Sequence, residues 1–377
     1  MKSFKELQLN ENIIDGLLKQ NIEEPTKIQE LSIPEILENK DLIGESHTGS
    51  GKTLAFLTPI FQKIDSSKKD VQALILAPTR ELVMQIEAQV KLLSENSNSN
   101  IKSISIIGDV NLDKQIKKLK EVKPQIVVGS PGRVLDLIRK KKLKAHTVKT
   151  LVLDEGDTLI DNTSIQNVNE IIKSLMRDTQ ILIFTATISK KAIEISKSFL
   201  KNPVIIKSDS KASLNPNIEH MYIKVDPRDK IETLRKLLAA VEPKKALVFI
   251  NHGFDINEVT EKLKYHNREA FGMHKKITKE QRQQALQNFR SGKINILVSS
   301  DISARGLDID DITHIINLDF PKNTNEYLHR AGRTARGTKS GCTISLVTER
   351  ELPAIRVYER EFGIKIEKKS LSHGALV

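Results

Sequence analysis

Short apolar runs, separated by amphipathic stretches, constrain the fold before any motif is read. The first half carries Ala73-Leu74-Ile75-Leu76, Ile104-Ser105-Ile106-Ile107, Gln125-Ile126-Val127-Val128, Thr150-Leu151-Val152-Leu153, Ile181-Leu182-Ile183-Phe184 and Val204-Ile205-Ile206. Strands apolar on both faces need cover on both sides, which a parallel sheet between layers of helices supplies. A second series follows in Met221-Tyr222-Ile223, Ala246-Leu247-Val248-Phe249-Ile250, Ile294-Asn295-Ile296-Leu297-Val298, His314-Ile315-Ile316-Asn317-Leu318 and the run around Cys342. The pattern predicts an α/β architecture twice over.

A length of 377 residues exceeds what one core usually holds, which also points to two domains. Between the two series, Lys207 to Asn217 is polar, broken by Pro216 and free of strand or helix periodicity, so it is the expected linker. The expected organisation is a first domain at 1–206, a linker at 207–217 and a second domain at 218–377. Sixty Lys and Arg against 48 Asp and Glu leave a net charge of +12, which suits a polyanionic partner, nucleic acid ahead of a membrane surface. No apolar run reaches membrane-spanning length and the start, Met1-Lys2-Ser3-Phe4-Lys5-Glu6, lacks a signal-peptide core, so a cytoplasmic protein without membrane contact is expected. The single cysteine, Cys342, excludes an intramolecular disulfide framework and a thiolate metal cluster, and its apolar setting predicts a packed thiol.

Ser46-His47-Thr48-Gly49-Ser50-Gly51-Lys52-Thr53 follows a short apolar segment and precedes the helix-compatible Leu54-Ala55-Phe56-Leu57. This is a phosphate-binding loop: glycines bring backbone N–H groups to phosphate, Lys52 reaches the β- and γ-phosphates, and the Thr53 hydroxyl suits Mg2+. Such a loop needs a carboxylate at a buried strand's tip. Leu151-Val152-Leu153-Asp154-Glu155 supplies Asp154 for the metal, with Glu155 placed to orient or deprotonate the attacking water. Alone, that run also describes an acidic strand end meeting solvent; beside Lys52 and Thr53 it reads as the metal carboxylate.

With Asp154-Glu155-Gly156-Asp157 added to the loop, the sequence resembles the DEAD-box ATP-dependent RNA helicases, short bacterial type, with further family motifs in order along almost the whole chain. Pro25-Thr26-Lys27-Ile28-Gln29 looks like the Q motif, with Phe4 upstream. The resemblance implies two tandem RecA-like domains, with Phe4, Thr26, Gln29, Thr48, Gly49, Ser50, Gly51, Lys52, Thr53, Gly306 and Asp308 around the nucleotide and Gln29 reading adenine. The usual opening Gly and aromatic of the Q motif are Asn21 and Ile22 here. Pro78, Thr79 and Arg80, then Gly108 (followed by Asp109 where a second glycine is usual), then Pro131, Gly132 and Arg133 are similar to the RNA-binding motifs of the first domain. Asn251 and Ser300 stand in the corresponding motifs of the second. Thr185-Ala186-Thr187 stands where the family has Ser-Ala-Thr; Thr185, Thr187, Asp157 and His329 would couple the nucleotide state to strand separation. Gly156 replaces the usual alanine, which predicts a looser backbone beside Glu155.

His329-Arg330-Ala331-Gly332-Arg333-Thr334-Ala335-Arg336 resembles the last family motif, departing at Ala335 where glycine is usual. Arg333 and Arg336 would be arginine fingers that meet the γ-phosphate from the second domain, where planar cations match the charge of phosphoryl transfer. The implied activity is RNA-stimulated ATP hydrolysis with ATP and Mg2+, driving local, non-processive unwinding or ribonucleoprotein remodelling by a monomeric core. Ribosomal precursor particles and cold-stress RNA are the expected settings. An ATP-gated RNA clamp with little unwinding is the alternative.

Overall fold

The doubly apolar runs become parallel strands. The computed structural model describes the chain except residues 1, 47–48, 109, 162–163, 187–189, 209–213, 252–254, 275–276, 302–308, 310 and 336–338. Two compact units result, Met1–Ser210 and Lys211–Val377.

In the first unit, β1 (Leu42–Glu45), β2 (Ala73–Leu76), β3 (Ser103–Ile106), β4 (Ile126–Gly129), β5 (Thr150–Asp154), β6 (Gln180–Thr185) and β7 (Val204–Lys207) form one parallel sheet in the order β3-β4-β2-β5-β6-β1-β7. Alternation along each strand fills both faces. Ile75, Val128, Val152 and Leu182 enter one core with Phe56 and Ile60 of α3 (Lys52–Lys63) and Val83 and Val90 of α4 (Arg80–Asn96). Leu74, Val127, Leu151 and Ile183 enter the other, under Val134 and Leu137 of α6 (Pro131–Arg139) and Val168 and Ile171 of α8 (Ser164–Ser174). The remaining helices of this unit are α1 (Glu11–Leu18), α2 (Lys27–Leu37), α5 (Leu112–Val122), α7 (Gly156–Asp161) and α9 (Lys190–Lys197). Because the strands are parallel, their C-terminal ends share one edge, where ligands of open α/β sheets bind. β6 lies between β1 and β5, so the phosphate loop after β1 and the acidic tip of β5 open on either side of Thr185.

The second unit repeats the plan. β8 (Ile218–Lys224), β9 (Ala246–Phe249), β10 (Ala270–Met273), β11 (Ile296–Ser299), β12 (His314–Asn317), β13 (Gly341–Val347) and β14 (Glu367–Lys369) run parallel in the order β10-β11-β9-β12-β13-β8-β14. Among the described residues its helices are α10 (Lys230–Val241), α11 (Ile256–Tyr265), α12 (Lys279–Ser291), α13 (Thr324–Ala331) and α14 (Leu352–Phe362). A terminal hairpin, β15 (Leu371–Ser372) with β16 (Ala375–Leu376), packs Leu371 and Leu376 against this core. The edge strands β10, Ala270-Phe271-Gly272-Met273, and β14, Glu367-Lys368-Lys369, carry no Val, Ile or Leu run, and periodicity passes over them. Cys342 is half-buried in β13, and burial pushes its thiol up to about 12, so it is protonated and unreactive at neutral pH. Among the described residues no helix is long and apolar enough to cross a membrane.

Candidate nucleotide and nucleic-acid sites

The turn from β1 into α3 is built by two glycines in left-handed conformations, Gly49 at φ 84 and Gly51 at φ 89. Neither φ suits a side chain, and a Cβ on Gly51 would lie 2.5 Å from Gln29 Nε2. Ser46 N donates to Thr185 O (3.0 Å), tying the loop's entry to β6. Ser50 is buried, and Lys52 and Thr53 occupy the first turn of α3, where unpaired N–H groups and the helix dipole favour an anion. Lys52 Nζ donates to Ser46 O, so the ammonium is held over the loop. Thr48 lies outside the described residues.

Gln29 is 2% exposed, and its amide is spent within the protein: Oε1 accepts from Thr26 N (2.9 Å) and Nε2 donates to Gly51 O (3.1 Å). Thr26 caps α2 and touches the same glycine, so the Q-motif segment and the phosphate loop form one piece. Phe4 is 3% exposed and packs into the core with Leu7 and Ile28, so its ring serves the hydrophobic interior. Asn21 adopts φ 57, a conformation that glycine favours and asparagine tolerates; half-buried Ile22 packs against the same core.

At the tip of β5, Glu155 is held at φ 51, an uncommon conformation for a side-chain-bearing residue that costs about 1–3 kcal/mol and marks functional turns. Glu155 N donates to Asp154 Oδ1 (3.0 Å), and both Thr158 N and Leu159 N bond Glu155 O as α7 begins. Burial lifts the Asp154 carboxyl to about 7 against the opposing pull of Lys52, and burial also lowers Lys52, whose ammonium feels Asp154, Asp157 and Glu155. These groups therefore lie close enough for their charges to act on one another. Glu155 Oε2 is buried and, among the described residues, has no hydrogen-bond partner. Asp157 opens α7 and the fully buried Thr185 ends β6, one strand away; Thr187 lies outside the described residues.

Gly156 leaves no loose space. A Cβ there would lie 2.4 Å from Ile183 Cγ2. The Ile183 methyl already fills the volume that alanine would take, which removes the ground for a looser packed turn.

Along the same edge, Thr79 follows Pro78 and caps α4 by accepting from Leu82 N (3.3 Å), with Arg80 in the first turn. Pro131 and Gly132 open α6, and both helix N-termini offer N–H groups to phosphate. Arg133 turns inward: Nη1 donates to Val110 O (2.8 Å) and Nη2 to Gly108 O, clipping the loop after β3 to α6. In this geometry Arg133 shapes the edge from within.

In the second unit the centre is Arg330, 1% exposed. Nε and Nη2 donate to the two oxygens of Asp301 (2.6 Å each), Nη2 also to Asn251 Oδ1 (2.8 Å), and Nη1 to Asn317 Oδ1 (2.9 Å) and Asp319 O (2.7 Å). The guanidinium stacks 4.9 Å from the Phe249 ring centre. Asn251 N in turn donates to Asp319 Oδ2 (2.8 Å). One planar cation thus fixes Asn251, the Asp301 turn beside Ser300, and α13, which carries His329 and leads to Arg333; both of these are buried. Reading the motif for its fingers misses this hub. Its signal is an arginine on the helix stripe of Tyr327, Leu328 and Ala331, all buried. Ala335 sits at φ 53, in the left-handed region where the family glycine would be unstrained. Gly306, Asp308 and Arg336 lie outside the described residues.

The DEAD/DEAH box helicase family model matches residues 26–195, and the helicase conserved C-terminal domain matches 229–338. The DEAD-box ATP-dependent RNA helicase CshC of Bacillus cereus is 41% identical over 95% of this chain and 91% of its own length. The probable ATP-dependent RNA helicase YfmL of Bacillus subtilis is 38% identical over 94% and 93%. Among solved structures, S. cerevisiae Dbp5 bound to RNA and ADP BeF3 superposes with a TM-score of 0.86 at 28% identity, covering 98% of this chain and 95% of that one. Mss116p bound to ssRNA and AMP-PNP gives a TM-score of 0.85 at 27% identity over 98% and 80%. Both units are thus RecA-like domains, and the chain belongs to the DEAD-box family of ATP-dependent RNA helicases.

Proposed function

We propose that this chain hydrolyses ATP on RNA and uses the cycle for local, non-processive opening of short duplexes in RNA or RNA–protein particles of the cytoplasm, precursor ribosomes among them. The observation that carries the reading is the phosphate loop, with Gly49 and Gly51 left-handed and Lys52 in the first turn of α3, where its buried ammonium feels Asp154, Glu155 and Asp157. Such a loop suits a triphosphate: Lys52 exchanges the Ser46 carbonyl for phosphate oxygens, and Gly49, Ser50 and Gly51 supply the N–H cradle.

The residues also fit Mg2+. Asp154 is a carboxylate buried beside Lys52, and a further positive charge would hold it ionised. No cluster of three His, Cys, Asp or Glu suited to a metal occurs among the described residues, as expected where one carboxylate, a hydroxyl, waters and substrate phosphates complete the shell. Thr53 and Asp154 would hold the ion, which when bound screens phosphate charge. Glu155, whose buried Oε2 has no partner among the described residues, is suited to accept the proton of the attacking water. Arg333 and Arg336 belong to the second unit and would neutralise the γ-phosphate from there, so turnover needs both units on one nucleotide and residues 207–217 act as the joint.

ATP and RNA would each draw on both units, so each should tighten the other's binding by the same factor. At about 1.4 kcal/mol per stacked step, a DNA value, one cycle releases duplexes of roughly ten pairs. Strand displacement on duplexes of graded length tests this. Release should fall away steeply beyond that length; opening of long duplexes by single molecules would contradict local action, and tight ATP-dependent RNA binding without release would favour a clamp.

A further inference from the structure

The edge of the first sheet opposite the nucleotide pocket carries more cations than carboxylates and forms a basic rim. Parallel strands bring all their N-terminal ends to that edge, and hydrogen bonds sew the entering loops together. Ile126 N bonds Lys102 O, Gln125 Nε2 bonds Lys68 O (2.7 Å), Lys149 N bonds Gln72 O (2.7 Å), Gln180 N bonds Lys149 O (2.9 Å), and Gln180 Nε2 bonds Lys40 O (2.7 Å). Seven strands span about 30 Å at about 4.8 Å per spacing.

Part of the charge on this rim is neutralised in place: Lys68 by Asp65, Lys144 by Asp70, Lys149 by Asp178, Arg139 by Glu170 and Lys40 by Glu35 and Glu38. What remains is cationic. Lys69 enters β2, Lys102 enters β3 and Lys123 enters β4. Lys140, Lys141 and Lys142 leave α6 on the way to β5, while Arg177 precedes β6 and Lys201 precedes β7. All are exposed, and none has an ion-pair partner among the described residues.

Two of these lysines hold costly backbone. Lys123 ends α5 at φ 49 and Lys141 follows α6 at φ 54, at positions where glycine is the usual residue. Cations at helix C-termini complement the helix dipole, which accounts for one lysine at each end but not for three in succession after α6. That tripeptide is ordered rather than a solvated tail: Lys141 N bonds Ile138 O (2.8 Å), Lys142 N bonds Leu137 O (2.9 Å), and Leu143 is anchored in the core.

We propose that this rim is a second RNA-binding surface that grips the phosphates of structured RNA while the opposite edge works on the strand being displaced. The RNA-directed reading above supplies only the choice of polyanion. A row of exposed Lys and Arg side chains at the strand entrances, with no aromatic among them, suits backbone contact without sequence preference. It also lacks the apolar face of a membrane-binding helix.

The test uses the full chain with its helicase surface saturated by a short unlabelled single strand and a non-hydrolysable ATP analogue, and measures binding of a labelled blunt RNA hairpin across salt concentrations. One variant combines Lys140→Gln, Lys141→Gln, Lys142→Gln and Arg177→Gln; a second combines Lys69→Gln and Lys123→Gln. Each lost phosphate contact lowers the slope of log K against log salt by about 0.9 on a duplex, so the first variant, with four contacts removed, should lose about 3.6 units of slope and bind about tenfold more weakly or worse. The second should lose about half as much slope, and ATPase stimulation by the short strand should persist in both. Unchanged hairpin affinity and slope in both variants would overturn the rim. So would equal competition by anionic phosphatidylglycerol vesicles or polyglutamate. If the wild type shows no RNA-stimulated ATPase yet the variants still lose hairpin binding, the helicase reading fails and the rim stands.

Discussion

Gly156 and Ile183 form a complementary pair at the turn after β5: where the family carries alanine, this chain has a glycine and an isoleucine methyl in the vacated space. Gly156→Ala alone should destabilise the first unit by about 1–3 kcal/mol through overpacking. Ile183→Ala, which takes the Cγ2 methyl away, should cost less stability in the Gly156→Ala background than in the wild type. Urea unfolding of the single and double variants checks this, and equal stability of Gly156→Ala and wild type would refute the contact. Ala335 is the reverse case, a side chain kept at φ 53. Ala335→Gly should relieve strain and raise the stability of the second unit by up to about 1 kcal/mol, measured in the same way. The sequence shows both departures from the family pattern. It shows neither consequence, because one depends on a neighbour 27 positions away in the chain and the other on a backbone angle. Gln29 and Arg133 illustrate the same limit. Their identities were legible, but their hydrogen bonds to Gly51 O and to the carbonyls of Gly108 and Val110 are properties of folded loops.

Strands buried on both faces were legible from composition, and those at the centre of each sheet fall within one or two residues of the apolar runs. β10 and β14 were not, because Ala270-Phe271-Gly272-Met273 is broken by a glycine and holds no Val, Ile or Leu, and Glu367-Lys368-Lys369 is wholly charged. β8 and α13 also hold a feature no pattern discloses. His220 Nδ1 lies 2.8 Å from Tyr327 OH in a buried setting, and its Nε2 has no partner among the described residues. Burial lowers this histidine to about 4. The folded value lies below the unfolded one near 6.5, so unfolding takes up a proton between them. Stability is full above about pH 6.5 and falls as pH drops toward 4, by about 2 kcal/mol at pH 5. Denaturant unfolding of the second unit at pH 7 and pH 5 should show this loss, reduced in His220→Gln; the same pH dependence in that variant would assign it elsewhere.

For the whole molecule, the division of labour follows from where the charged groups lie in sequence. Lys52, Asp154 and Glu155 belong to the first unit and Arg333 to the second, so neither alone holds the proposed machinery. The measurement that tests this most directly is steady-state ATP hydrolysis with and without single-stranded RNA, with single-stranded DNA as control, on the wild type and on Glu155→Gln. The expected result is strong stimulation by RNA alone, reduced by about two to four orders of magnitude in Glu155→Gln with nucleotide binding retained. Hydrolysis indifferent to RNA, or undiminished by the Glu155 substitution, would contradict the assignment of this pocket as an RNA-gated ATPase.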